Sequence, residues 1–120
     1  MTLTNNKNIT DESLSELAKY NKLKSLRISY NTLISNESIS KLTSLTSLNL
    51  WGCDNQIVTI DGILKLVNLN SLMLFSKSII NTEDIRRLVV DNNLRELKLN
   101  RLIHIDIDAL RDLDLKIIKY

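Results

Sequence analysis

The residues of this chain with chemistry to offer fall into two groups. In the first, His104 stands in Ile103-His104-Ile105-Asp106-Ile107-Asp108, where an extended backbone would put His104, Asp106 and Asp108 on one side, the outline of a small metal site. One imidazole with two carboxylates is a sparse ligand set, and the segment reads better as a loop that ends in a helix cap at Asp106. Cys53 is the one cysteine, so no intramolecular disulfide can form, and no histidine near it in sequence could draw off its proton. The two glycines, Gly52 and Gly62, are isolated and make neither a phosphate cradle nor a nucleophile elbow. The chain therefore reads as a non-enzyme without catalytic residues, metal or cofactor. The second group is apolar and basic. Three of the five aromatics, Tyr30, Trp51 and Phe75, recur at spacings close to those separating Arg27, Asn49, Met73 and Lys98, with Arg101 three residues beyond the last. That chemistry is recognition: Trp, Tyr and Arg are enriched where protein interfaces concentrate their energy.

The elements that position this group come from an internal repeat. Leu45-Thr46-Ser47-Leu48-Asn49-Leu50-Trp51-Gly52-Cys53 has the form L-x-x-L-x-L-x-x-C. The same spacing recurs as Leu23-Leu26-Ile28-Asn31, Leu69-Leu72-Leu74-Lys77 and Leu94-Leu97-Leu99-Leu102. A truncated copy begins at Leu115 with Ile118 and Tyr120, and Met1, Leu3 and Asn6 fit the tail of an earlier one. The starts at 23, 45, 69, 94 and 115 are 22, 24, 25 and 21 residues apart, so a single supersecondary unit is expected to stack on itself. Each L-x-L core alternates inward and outward, the period of a strand. Between the cores, a polar residue precedes apolar ones at helical spacing: Thr10 or Asp11 before Leu14, Leu17 and Ala18; Ser35 before Ile39 and Leu42; Asp61 before Ile63 and Leu66; Thr82 before Ile85, Leu88 and Val89; Asp106 before Leu110 and Leu113. Each reads as an N-cap opening a short helix with one buried stripe.

The recurring L-x-x-L-x-L-x-x-N/C motif resembles the leucine-rich-repeat family over essentially the whole chain. Ile9-Thr10-Asp11-Glu12-Ser13-Leu14 with Leu17-Ala18 is similar to the cysteine-containing repeats of F-box adaptors. Ile39 to Leu45 and Ile63 to Leu69 look like the shorter repeats of phosphatase-regulatory and internalin-type proteins. The resemblance implies an α/β fold of one domain over 1–120. Its four full repeats start near 23, 45, 69 and 94, with partial ones at 1–6 and 115–120. Parallel strands joined by crossover helices wind with one hand, so the expected form is a right-handed solenoid with its sheet on the concave face and helices on the convex face. In this family Asn or Cys at the ninth position hydrogen-bonds turn backbone; Asn6, Asn31 and Cys53 match, whereas Lys77 and Leu102 predict rearranged turns in which Ser76 or Ser78 takes over.

Register then picks out an exposed face. The third positions are Ser25, Ser47, Ser71, Glu96 and Ile117; the fifth are Thr2, Arg27, Asn49, Met73, Lys98 and Lys119; the seventh are Thr4, Ser29, Trp51, Phe75 and Asn100; the eighth include Tyr30 and Arg101. Large apolar groups on a solvent face, rimmed by bases, predict a protein partner of acidic character. The binding set is Arg27, Tyr30, Asn49, Trp51, Met73, Phe75, Lys98 and Arg101. Aromatics with Arg could also stack bases, but a net charge of +2 argues against nucleic acid. No apolar run approaches a membrane span and Met1 to Lys7 holds no apolar stretch, so a cytoplasmic protein without membrane contact is expected. The sequons at Asn8 and Asn36 matter only on a secreted chain. The chain begins and ends on strand patterns without a polar capping repeat, which supports an alternative role as a structural solenoid that self-associates through its ends.

Overall fold

A computed structural model describes residues 9–29, 33–50, 58–74, 80–100 and 105–120, with the backbone alone at 2–4 and 51. Strands β1 (Thr2–Thr4), β2 (Ser25–Ser29), β3 (Ser47–Trp51), β4 (Ser71–Leu74), β5 (Glu96–Leu99) and β6 (Lys116–Lys119) form one sheet in sequence order. Every neighbouring pair is parallel. Helices α1 (Asp11–Ala18), α2 (Asn36–Ile39), α3 (Ile60–Ile63) and α4 (Thr82–Asn92), then a 3-10 helix at Asp108–Leu110, alternate with the strands. This is the α/β class with an all-parallel sheet and short helices that the sequence predicts.

The sheet registers leucine on leucine. Leu26 pairs with Leu48, Leu48 with Leu72 and Leu72 with Leu97, while Ile28, Leu50, Leu74 and Leu99 make the next row. Both rows are buried, and they share one core with Leu14, Ile39, Ile63, Ile85 and Leu88 of the helices. The helices therefore cover one face of the sheet. No helix shorter than about 12 residues is stable alone in water; α2 and α3, four residues each, exist because Ile39 and Ile63 are sealed in that core. Strand entry is fixed by shared carbonyls. Lys24 O accepts from Thr46 N (2.8 Å) and Ser47 N (3.1 Å), Thr46 O from Asn70 N (2.9 Å) and Ser71 N (3.1 Å), and Asn70 O from Arg95 N and Glu96 N (both 2.9 Å).

The last strand departs from the expected register. Leu97 pairs with Ile117 and Lys98 with Ile118, so the final copy is shifted by one residue from a start at Leu115. Ile117, expected on the exposed face, packs against the core with Leu113 and Leu115, while Lys116 and Ile118 take the outward rows and Lys119 pairs with Leu99. Two apolar alternations overlap in this segment. The observed one packs Leu113, Leu115 and Ile117 together and sets Lys119, which stays exposed, opposite Leu99, whereas the other would align Ile118 and Tyr120 with Leu97 and Leu99.

The caps are also partly displaced. Thr10 accepts from Ser13 N (3.4 Å) and Ser35 from Glu37 N (3.2 Å), as expected. The α3 cap is Thr59, not Asp61, and it makes no side-chain cap bond; its hydroxyl accepts from Asn36 Nδ2 (2.6 Å) instead. The α4 cap is Asn81, not Thr82, in a capping box: Asp84 N donates to Asn81 Oδ1 (2.9 Å) and Asn81 N to Asp84 Oδ2 (3.0 Å). Asp106 lies one residue before the Ile107 cap of the 3-10 helix, though its Oδ1 still accepts from Ala109 N (3.3 Å). Acidic side chains occupy the first turn of all five helical segments, where the helix dipole favours them.

A second ladder runs through these caps. The residue after one cap accepts the backbone N–H of the next cap region: Asp11 Oδ1 from Ser35 N (2.8 Å), Asn36 Oδ1 from Thr59 N (2.8 Å), and Thr82 Oγ1 from Asp106 N (2.9 Å). Asp11 also accepts from the hydroxyls of Ser35 and buried Ser38. Gly62 is buried beside the Asn36 rung, where an added Cβ would lie 2.8 Å from Asn36 Cγ. Only a residue without a side chain lets Asn36 reach across.

Candidate functional site

The sheet face opposite the helices carries two in-register rows. One is Ser25, Ser47, Ser71, Glu96 and Lys116; the other is Arg27, Asn49, Met73, Lys98 and Ile118. Strands lie about 4.8 Å apart, so Arg27, Asn49, Met73 and Lys98 form one continuous line across four strands. Arg27 is exposed, and Asn49, Met73 and Lys98 are half-buried. Four of the expected binding residues are thus brought together by register alone. Trp51 ends β3 opposite Ser29, and its side chain lies outside the described residues, as do Tyr30, Phe75 and Arg101. The ninth-position residues Asn6, Asn31, Cys53, Lys77 and Leu102 also lie outside them.

Electrostatics on this face are partly internal. Lys98 Nζ lies 3.4 Å from Glu96 Oε1, which Ser71 Oγ also approaches at 3.3 Å. Glu96 therefore moderates the basic rim at Lys98. The E-x-K spacing on a strand, which puts both side chains on one face, is the signal in the sequence for this pair. Lys116 and Ile118, brought into the rows by the shifted last strand, extend the face beyond the expected set.

Ser29 corrects the expected seventh-position row. It alternates with Arg27 and so belongs to the open face, yet it is 1 % exposed. Its Oγ and Asn49 Oδ1 are both buried without a hydrogen-bond partner among the described residues. Such groups forfeit their hydration without replacement.

The acidic segment near the C-terminus is accounted for differently. Asp106 donates through its backbone N–H to Thr82 and caps Ala109, and Asp108 Oδ1 pairs with Arg111 Nη2 at 2.8 Å. His104 lies outside the described residues. A shallow depression of about 370 Å³ lined by Asp106, Asp108, Arg111 and Lys119 mixes both signs of charge, and no cluster of three metal-ligating side chains occurs among the described residues.

Two carboxylates are perturbed. Burial raises the Asp11 pKa, but hydrogen bonds from Ser35 and Ser38 outweigh it and hold the carboxyl below its ordinary value. Asp112 is likewise lowered by its bidentate pair with Arg86, at 2.9 and 3.0 Å, which ties α4 to the turn after the 3-10 helix. Both belong to the helical layer, away from the open face. No helix among the described residues is long and apolar enough to cross a membrane. Comparison with protein-family models and with curated proteins finds no match to this chain.

Proposed function

We propose that the chain is a right-handed leucine-rich-repeat solenoid that acts as a non-catalytic protein-interaction module, taking its partner on the concave sheet face. The observation that carries this reading is the line Arg27–Asn49–Met73–Lys98, one residue from each of four successive strands, on the face opposite the helices. An ordered surface with an exposed base at one end and a half-buried methionine at its middle suits a macromolecular contact. Of the charged side chains in its two rows, Arg27, Lys98 and Lys116 are basic and Glu96 alone is acidic, which favours an acidic partner segment.

Partner recovery from an extract of the native host tests the reading, with wild type set against Arg27→Glu/Met73→Asp and against Trp51→Ala/Phe75→Ala. Each pair is expected to reduce recovery of the same partner by about tenfold or more, the scale of losing a hot-spot side chain, while circular dichroism stays unchanged. Unchanged recovery with both pairs would refute it.

A further inference from the structure

The helical layer is closely packed from α1 to α3 and thins beyond it, most of all between α3 and α4. Helices α1 and α2 pack on each other, as do α2 and α3; α4 packs more sparingly on the 3-10 helix, and among the described residues α3 and α4 approach each other less than any of these pairs, while one core runs through Ile63, Leu66, Ile85 and Leu88. The cap ladder breaks at the same place. Asp11 bonds to the α2 cap, Asn36 to the α3 cap and Thr82 to the turn before the 3-10 helix. The corresponding position in α3 is Ile60, which has no acceptor to offer, and the Asn81 N–H it would receive is taken by Asp84 of its own helix. One side-chain bridge crosses the gap among the described residues. Asn92, 6 % exposed, donates from Nδ2 to Leu64 O (2.7 Å) and Leu66 O (3.4 Å).

We infer that the chain is built as two cooperative blocks, β2 through β4 and α4 through β6, which meet at a seam between α3 and α4 latched by Asn92. In a stacked array, stability is a sum of unit and neighbour terms, and cooperativity fails where a neighbour term is weak. At the seam, the sheet still pairs Leu72 with Leu97 and one core still runs through Ile63 and Ile85, but among the described residues the helix-to-helix packing is at its thinnest and the cap bond of the neighbouring junctions is absent. The block beyond the seam therefore opens as a unit without the other, on the pattern of sub-global unfolding. The Asn92 amide controls that opening, because its loss leaves the Leu64 carbonyl without its donor, while Leu66 O keeps the Leu69 N–H.

Native-state hydrogen exchange of the intact chain across a denaturant series tests this. In the wild type, amides of α4, β5 and β6 are expected to converge on one opening, with exchange about tenfold or more faster than the opening shared by β2 and β3. Asn92→Ala should raise the first opening on the order of ten- to a hundredfold and leave β2 and β3 unchanged. Asn36→Ala, within the first block, should raise exchange in α2 and α3 and leave the α4–β6 opening unchanged. A single opening common to β2 through β6 in the wild type would overturn the inference, and so would equal acceleration of both blocks by Asn92→Ala. The wild-type pattern alone decides the matter if Asn92→Ala fails to fold.

Discussion

Ser29 and Asn49 are the residues at which stability and surface role part company. Each places a buried oxygen on the open face with no partner among the described residues, next to positions that the repeat pattern leaves free to vary. A hydroxyl under cover contributes nothing unless it is bonded, so removing it relieves a desolvation cost. Ser29→Ala is expected to raise the free energy of unfolding by about 1 kcal/mol, read from urea titration; a loss of similar size would mean that the hydroxyl has a strong partner. Gly62 makes the opposite point. Its value lies wholly in the space it leaves for Asn36, and no property of residue 62 itself reveals that.

At the scale of elements, the cap ladder joins helices too short to stand alone. Its strongest rung is Asp11, which accepts from the α2 cap Ser35 and from Ser38 within the helix. The folded pKa of Asp11 lies below the ordinary value of about 4. Its stabilisation is therefore complete above that value and is lost as pH falls through the folded pKa. Asp11→Asn is expected to cost about 1–2 kcal/mol near neutrality, and the gap from wild type should close as pH falls below about 4. A gap that does not change with pH would contradict the account. The strands themselves were readable in the sequence, because leucine on leucine at offsets of 22, 24 and 25 residues fixes the pairing from Leu26 to Leu97. The last strand was not, since Leu113, Leu115 and Ile117 compete in alternation with Ile118 and Tyr120, and only packing chooses between them. Caps were misplaced where several capable residues cluster, as at Thr59 and Asp61 or at Asn81, Thr82 and Asp84. The line from Arg27 to Lys98 followed from register, whereas the burial of Ser29 is not given by its place in the alternation.

For the whole molecule, the two faces of one sheet carry different work. Leucine rows and helices hold the core, and the opposite face is left with residues that the core does not need. The seam between α3 and α4 falls between β4 and β5, so Met73 lies on one block and Lys98 on the other. A partner bound along the line would span both blocks and be expected to slow the opening of the second by mass action. Whether binding occurs on that line is best measured by placing a photo-crosslinking side chain at position 73, on the open face, or at position 90, where Val90 is 68 % exposed on the outer side of α4, and irradiating each in host extract. The account predicts a discrete protein adduct from position 73 that position 90 does not form; adducts from position 90 alone, or the same adducts from both, would contradict it.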